Sequence, residues 1–383
     1  MSVRIPLNYN PNSPELSNSK SVKKEIMKFG YTTGTCVAAA AKACAFAIVE
    51  KKIVKSVTVS TPIGLRLEIP VNYVKIDNEW AEASVTKNGG DDPDDTNGME
   101  IIVKMRINGD NGYLTIRAGK GIGIARNKGL PINEGEPAIN PVPKRQLIDN
   151  LTEILGNNFG AEIIIEAPNG EKISQRTFNP RLGIEGGVSI LGTSGIVKPM
   201  SIISWYASMV EQLDVVKKKG FESVVMVPGN IGETAARKLL NVDKDSIVQM
   251  AIFVGGMIKA ATKRGFREIV LFGHIGKMVK NAIGIWNTHY KYGDGRIETI
   301  VAYSAKHGVP NDVLLKIFEC KTTDDAVNIL RNYNYFDIFS DIANKIVYNA
   351  ENLINNKAKI YTILIDMKGE IIGYSKDSKK FLY

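Results

Sequence analysis

The sequence predicts two domains, an α+β unit followed by a parallel-sheet α/β unit, and three observations carry that expectation. At 383 residues the chain is longer than a single core usually grows. Residues 53–117 fall into short β runs broken by turn clusters, whereas the chain beyond about 201 repeats a strand, a glycine turn and a helix. The change of rhythm lies near residue 195. We therefore expect a polar amino-terminal arm over 1–25, an α+β substrate domain over 26–195, and an α/β domain with a helical carboxyl-terminal part over 196–383.

The arm, MSVRIPLNYNPNSPELSNSKSVKKE, is rich in Asn, Ser, Pro and Lys and lacks the apolar run of a signal peptide. Next stands GYTTGTCVAAAAKACAFAIVE, a helix built almost wholly from alanine, thin enough to lie close on a sheet. KSVTVSTP, LRLEIPV, AEASVTKN, EIIVKMRIN and GYLTIRAG read as strands, separated by turns such as NGGDDPDDTNG and NGDNG. A glycine-rich loop, AGKGIGIARNKG, leads through a polar segment to a helix over about 142–155 and the strand AEIIIEAP. After TFNPRLGIEGGVSILGTSGIVKPM comes a helix over about 201–218. ESVVMVPGNIGETAARKLL, IVQMAIFVGGMIKAATKRG and REIVLFGHIGKMVKNAIGIW then each read strand, turn, helix. Such units place ligands at the carboxyl ends of their strands. Residues 296–355 read as several helices, and KIYTILIDMKGEIIGYS as closing strands.

A net charge of +9 favours anionic partners. The basic residues are scattered, with no arginine-rich arm and no RNA-binding aromatic motif, so nucleic acid is not expected. No eighteen-residue apolar run exists, which argues against a membrane span and for a cytoplasmic protein. The three cysteines, Cys36, Cys44 and Cys320, lack metal-site spacing, and no protein-bound metal is expected.

Five stretches can carry chemistry. In TTGT a cap needs one threonine, so the hydroxyls of Thr32, Thr33 and Thr35 beside free helix amides point to a ligand carboxylate or phosphate; plain capping is the simpler alternative. In GGDDPDD, the neighbours Gly89, Gly90 and Pro93 give Asp91 and Asp92 fixed directions, suited to a pyrrole N–H or a proton; a solvated hairpin is the alternative. VPGNIGE puts Gly229, Asn230, Gly232 and Glu233 where an adenosine cofactor sits, with Gly255 on the neighbouring 252–256 loop. GHIGK lacks the spacer and the hydroxyl of a phosphate loop, which leaves His274 and Lys277 at a helix start. His274 and His289 end one helix-sized segment, with Asp294, Arg296 and Glu298 close behind, and Arg296 is suited to clamp a carboxylate.

GYTTGTCVAAAAKA, GGDDPDDTNG, GKGIGI, GEPAINPVP, NPRLGIEGGVSILGTSGIVKPMS and GHIGKMVKNAIGIWNTH occur in this order, and together they resemble the CbiD family of corrin-ring C-methyltransferases over residues 29 to 300. The resemblance implies methyl transfer from S-adenosylmethionine to ring carbon C1 of cobalt-precorrin-5B in anaerobic cobalamin biosynthesis. It also implies an amino-terminal domain related to the ribosomal S5 second-domain fold. Cobalt then belongs to the substrate. On this reading His274, His289 and Asp91 are candidate bases. Thr32, Thr33, Thr35, Asp92, Arg181, Lys277 and Arg296 face the anionic corrinoid, and the VPGNIGE residues with Gly255 face the cofactor. The substrate is expected between the domains, and a homo-oligomer is left open. Two other readings remain: a non-enzymatic corrinoid or polyanion carrier, and a phosphate-binding nucleotide enzyme.

Overall fold

A two-residue strand, β1 (Gly30–Tyr31), precedes the Ala-rich helix α1 (Thr33–Val49), and the first half of the molecule is built around that helix. The computed structural model describes residues 27–109, 112–199 and 201–383; the expected polar arm over residues 1–25 lies outside them. Fourteen of the 17 α1 residues are buried, so the helix has almost no solvent face. It carries the hairpin β2 (Ser56–Ser60) and β3 (Arg66–Pro70) on one flank. Beneath it runs a five-stranded sheet of β4 (Tyr73–Asp77), β5 (Trp80–Thr86), β6 (Glu100–Ile107), β9 (Ala161–Glu166) and β7 (Leu114–Ala118), in that spatial order. All neighbours are antiparallel except β7 and β9.

Alanine explains the close fit. The Cys44 thiol comes within 3.4 Å of the carbonyls of both Ala81 and Val103, a distance that a leucine-studded helix could not reach. Cys36 and Cys44 are both buried here, and burial pushes the Cys36 thiol up to about 12 and raises Cys44 as well. Helix α2 (Pro141–Leu155) packs along α1. Lys42 interrupts the apolar run from a buried position: its ammonium meets Glu153 of α2 at 2.5 Å and the Thr58 carbonyl at 2.8 Å. A short ladder joins β8 (Ile124–Ala125) to β10 (Ile184–Glu185), around the one-turn helices α3 (Gly170–Ser174) and α4 (Asn179–Leu182). Strand β11 (Ile196–Val197) returns to pair with β1, so the chain leaves this half just beyond residue 195.

Helix α5 (Ile202–Lys218) opens the second half, followed by β12 (Ser223–Val227), α6 (Asn230–Leu239), β13 (Ile247–Gln249), α7 (Val254–Lys263), β14 (Glu268–His274) and α8 (Ile275–Ala282). Helices α9 (Arg296–Lys306), α10 (Asn311–Phe318), α11 (Thr323–Asn332) and α12 (Asp337–Leu353) lead to β15 (Lys359–Ile365) and β16 (Ile371–Tyr374). The sheet order is β13-β12-β14-β15-β16, with the first four strands parallel and β16 antiparallel. SVVMV, EIVLFGH and KIYTILI are almost continuously apolar because both faces of the sheet are covered. Val225, Val227, Val270 and Phe272 pack on the α6 side. Val224, Met226, Ile269 and Leu271 point to the opposite layer, with residues of α5, α7 and α12. Chain order reverses between β12 and β14, and an open sheet forms a crevice at such a switch point. The two halves meet where Val215 of α5 joins Ala125, Ile132, Leu182 and Ile184.

Burial pulls the Glu153 carboxyl upward, but Lys42, Ser60 and Arg66 outweigh it and hold the pKa at about 2, below the ordinary 4.5. A carboxyl lowered on folding contributes stability above its unfolded pKa and loses it as the pH falls toward the folded one. Urea unfolding should therefore show a loss between about pH 4.5 and pH 2 that is absent in Glu153→Gln. At neutral pH Lys42→Met should cost about 3 kcal/mol, and the double change Lys42→Met with Glu153→Met should recover most of it.

Candidate functional site

Glu233, in the first turn of α6, is the hub of the crevice where β12, β13 and β14 end. Its Oε2 accepts from Arg181 Nη2 at 2.9 Å and from Gln249 Nε2 at 2.8 Å. Its Oε1 accepts from Arg237 Nε and Nη2 at 3.2 and 3.0 Å. Asn230 Oδ1 takes the remaining reach of the same donors, Arg181 at 3.2 Å and Gln249 at 2.8 Å. Burial raises the Glu233 pKa, yet Gln249 and the two guanidiniums outweigh it and keep the carboxyl below its ordinary range. Arg181 comes from α4 in the other half, so three residues singled out in the sequence, Arg181, Asn230 and Glu233, meet across the junction. Gln249 was not among them. It is the last residue of β13, 20 positions after Gly229, and the strand-end rule for nucleotide crevices could have found it. A Cβ added at Gly229 would meet nothing within 4 Å, so that glycine borders open space.

The neighbouring strand end carries His274 and Lys277. His274 caps α8: its Nδ1 accepts from the Gly276 amide at 3.1 Å, which leaves the proton on Nε2, 2.8 Å from Asp324 of α11. Asp324 in turn accepts from the Met367 amide at 2.9 Å. Both ring nitrogens are thus engaged in holding strand, helix and loop together. Lys277, one turn in, has no partner among the described residues, and partial burial of its ammonium lowers its pKa from the ordinary 10.5.

Other expectations need correction in their physical basis. His274 and His289 stand on either side of α8, His274 as its cap and His289 seven residues beyond its end, and each is engaged with its own turn. His289 caps the 290–292 turn and stacks on Tyr290 with centroids 4.5 Å apart. The Arg296 fork is already closed on Asp294, at 2.6 and 2.8 Å. Gly255 is small because Trp286 packs there, 2.7 Å from where a Cβ would stand, and its amide donates to the Trp286 carbonyl at 3.1 Å.

The TTGT hydroxyls are buried and committed within the protein. Thr32 caps α1 by accepting from the Thr35 amide at 3.3 Å. Thr33 donates to the Leu191 carbonyl at 3.1 Å and accepts from the Leu191 amide at 2.9 Å, while Thr35 donates to the Gly195 carbonyl at 2.7 Å. They hold the 188–197 loop over the helix start. Gln146 of α2 adds a hydrogen bond to Thr35 at 3.1 Å and leaves its own Oε1 buried without a partner. Beside them the acidic turn is anchored by Lys87, a buried cation 2.6 Å from Asp94, which outweighs burial and lowers the Asp94 pKa. Asp91 Oδ2 accepts from the Lys28 amide at 2.6 Å, and Gly90 (φ 63) fits because a Cβ there would stand 2.0 Å from the Lys28 carbonyl oxygen. Asp91, Asp92 and the TTGT turn therefore share one wall, and His274, Lys277, Asn230 and Glu233 stand on the crevice of the second sheet. Among the described residues no group of three or more His, Cys, Asp or Glu is placed to hold a metal, and no helix is long and apolar enough to cross a membrane.

Comparison with known proteins gives consistent results. The CbiD family profile matches residues 20–199, and the profile for the CbiD C-terminal domain matches residues 287–376. A curated cobalt-precorrin-5B C(1)-methyltransferase of Clostridioides difficile is 37% identical over 386 residues, covering 91% of this chain and 95% of that protein. One from Listeria monocytogenes is 41% identical over 337 residues, covering 88% and 89%. A crystal structure of the cobalamin biosynthesis protein (cbiD) from Archaeoglobus fulgidus aligns with a TM-score of 0.36 at 28% identity, over 74% of this chain and 85% of that chain.

For His274 the geometry sets a stability expectation. Asparagine can take over the cap but is too short to reach Asp324, so His274→Asn should lower stability by about 1 kcal/mol in urea, the share of the Asp324 bond. His274→Ala should cost about 2 kcal/mol, because the cap and the Asp324 bond are lost together.

Proposed function

We infer that this chain, which belongs to the CbiD family, methylates ring carbon C1 of cobalt-precorrin-5B, as its curated relatives are named to do. It is a methyltransferase of cobalamin biosynthesis. The observation that carries the site assignment is that VPGNIGE and GHIGK stand at adjacent strand ends, close enough that a Cβ at Gly273 would lie 2.7 Å from Pro228, in the crevice that the strand order creates. S-adenosylmethionine is the donor on this reading, and its sulfonium supplies a methyl carbon already activated for transfer. The fit rests on Gly229, which leaves room at the end of β12, and on the carboxylate and amides of the first turn of α6. Gly229, Asn230, Gly232 and Glu233 would hold the adenosine portion, with Gly255 serving the packing of the adjoining loop. The likeness of the amino-terminal half to the ribosomal S5 second-domain fold belongs to the same reading, supported by α1 lying across a sheet with one parallel pair.

The chain's residues then bind and align. Lys277, a cation with no partner among the described residues, meets a peripheral carboxylate of the corrinoid. Arg181 and Arg296 serve the same anion once released from Glu233 and Asp294. Thr32, Thr33 and Thr35 act through the 188–197 loop that they fix, and Asp92 stands beside them on that wall. Of the three candidate bases, Asp91 is the one suited to take a proton, because it is an exposed carboxylate with one oxygen pinned by Lys28. His274 and His289 both spend Nδ1 on a backbone amide and so present Nε2–H as a donor. Holding the ring carbon in line with the methyl group is the larger part of the catalysis. Residence in the cytoplasm belongs to this reading.

Anaerobic incubation with cobalt-precorrin-5B and methyl-labelled S-adenosylmethionine should place the label at C1, read by NMR. Tight corrinoid binding without label would instead make the chain a carrier. In that assay Lys277→Met should raise the corrinoid KM about tenfold and leave cofactor affinity unchanged. Arg296→Ala should do less, since its fork is held by Asp294. The Lys277 charge disappears at a lower pH than that of an ordinary lysine, so the corrinoid KM should climb on the alkaline side, and Lys277→Arg should abolish the climb.

A further inference from the structure

Gln249 is the least expected polar residue of the crevice, because its side chain is buried at the end of a core strand. Nothing in the packing of β13 demands an amide there. Its Nε2 bridges Asn230 Oδ1 and Glu233 Oε2, each at 2.8 Å, and its own backbone amide is fixed by Gln212 Oε1 at 3.1 Å. The carboxamide is therefore aimed by its two α6 acceptors, and the backbone that carries it is fixed to α5. An adenosine ligand entering at the Gly229 turn, after the first strand of the sheet, brings its ribose to the end of the second strand, which here is β13. In nucleotide crevices an acidic residue about 20 positions after the glycine turn accepts the ribose hydroxyls there. This chain has glutamine at that place and supplies the carboxylate from the helix instead.

We propose that Gln249 and Glu233 together form the receptor for the ribose diol of the adenosyl ligand, with Gln249 as the residue that aims the Glu233 carboxylate. The proposal rests on the placement of the cofactor in this crevice. A carboxylate has about four acceptor positions. In Glu233 four donor contacts fill them: two from Arg237, one from Gln249 and one from Arg181. Arg237 of α6 and Gln249 of β13 both belong to the second half of the molecule, whereas Arg181 reaches in from α4 of the first. Arg181 is thus the donor that a ribose hydroxyl replaces. The hydroxyl takes the place of the guanidinium on Oε2, and the guanidinium turns free to meet an anion. Gln249 keeps its hold on Oε2 throughout, so the carboxylate does not follow Arg181 out of the site.

The test compares S-adenosylhomocysteine with its 2′-deoxyribose and 3′-deoxyribose counterparts by calorimetry on the full chain. The parent protein should bind at least one deoxy compound roughly tenfold more weakly, the loss expected for a hydrogen bond to a charged acceptor. Gln249→Ala and Glu233→Gln should bind S-adenosylhomocysteine itself roughly tenfold more weakly and show no further loss on removing the hydroxyl. Arg181→Ala should bind it at least as tightly as the parent. Equal affinity of the parent for all three compounds would overturn the ribose assignment while leaving the cofactor in the crevice, and needs no variant that might misfold. The full tenfold penalty persisting in Gln249→Ala would overturn the role of Gln249. No binding of S-adenosylhomocysteine to the parent would overturn the cofactor placement, and the inference with it.

Discussion

A helix buried on nearly every side has no water to satisfy its first turn, and much of the amino-terminal half follows from that constraint. The unpaired amides and the hydroxyls at the start of α1 must find partners inside the protein. The 188–197 loop supplies carbonyls for Thr33 and Thr35, α2 supplies Gln146, and β11 closes against β1. The acidic turn then lies on the backbone just before the helix, through Lys28 and Gly90. One packing decision, a helix made thin enough to sink between sheet and helix, thus fixes three segments far apart in sequence.

The second half obeys a different rule. Its parallel strands and their order make the crevice, and polar residues collect at the strand ends because only there does buried backbone meet open space. Glu233 is held by donors from two directions, one internal to its own half and one from the other half of the molecule. Arg181 thereby ties the crevice of the second sheet to the other half of the molecule. A charged contact of this kind, partly exposed, is weak enough to exchange and directional enough to matter.

Much of this architecture was legible in the sequence, because strand–glycine–helix units and alternating β runs are local signals. The helix over 142–155 and the closing strands are of that kind. The five-member order of each sheet and the single parallel pair β7 and β9 were not legible, since pairing depends on contacts far apart in sequence. The site was read unevenly for the same reason. Arg181 carried no local signal for its partner 52 residues away, and Gln249 looked like the tail of an apolar strand. The surplus threonines were visible, yet their partners 158 to 160 residues downstream were not, so hydroxyls that hold a loop looked like hydroxyls that wait for a ligand. Arg296 shows the opposite case: a fork suited to clamp a carboxylate is closed on Asp294, two residues away.

A protein that handles an electrophilic methyl group exposes its own nucleophiles to it, and sulfur is the best of them. Cys36 stands one turn inside α1, close behind the buried threonines of its first turn. Burial raises its pKa well above the ordinary thiol value and so keeps it in the neutral form, which is the weaker nucleophile. Cys44 is buried as well, against strand carbonyls that accept its hydrogen. The alanine helix that draws the sheet close therefore also withdraws two thiols from reaction.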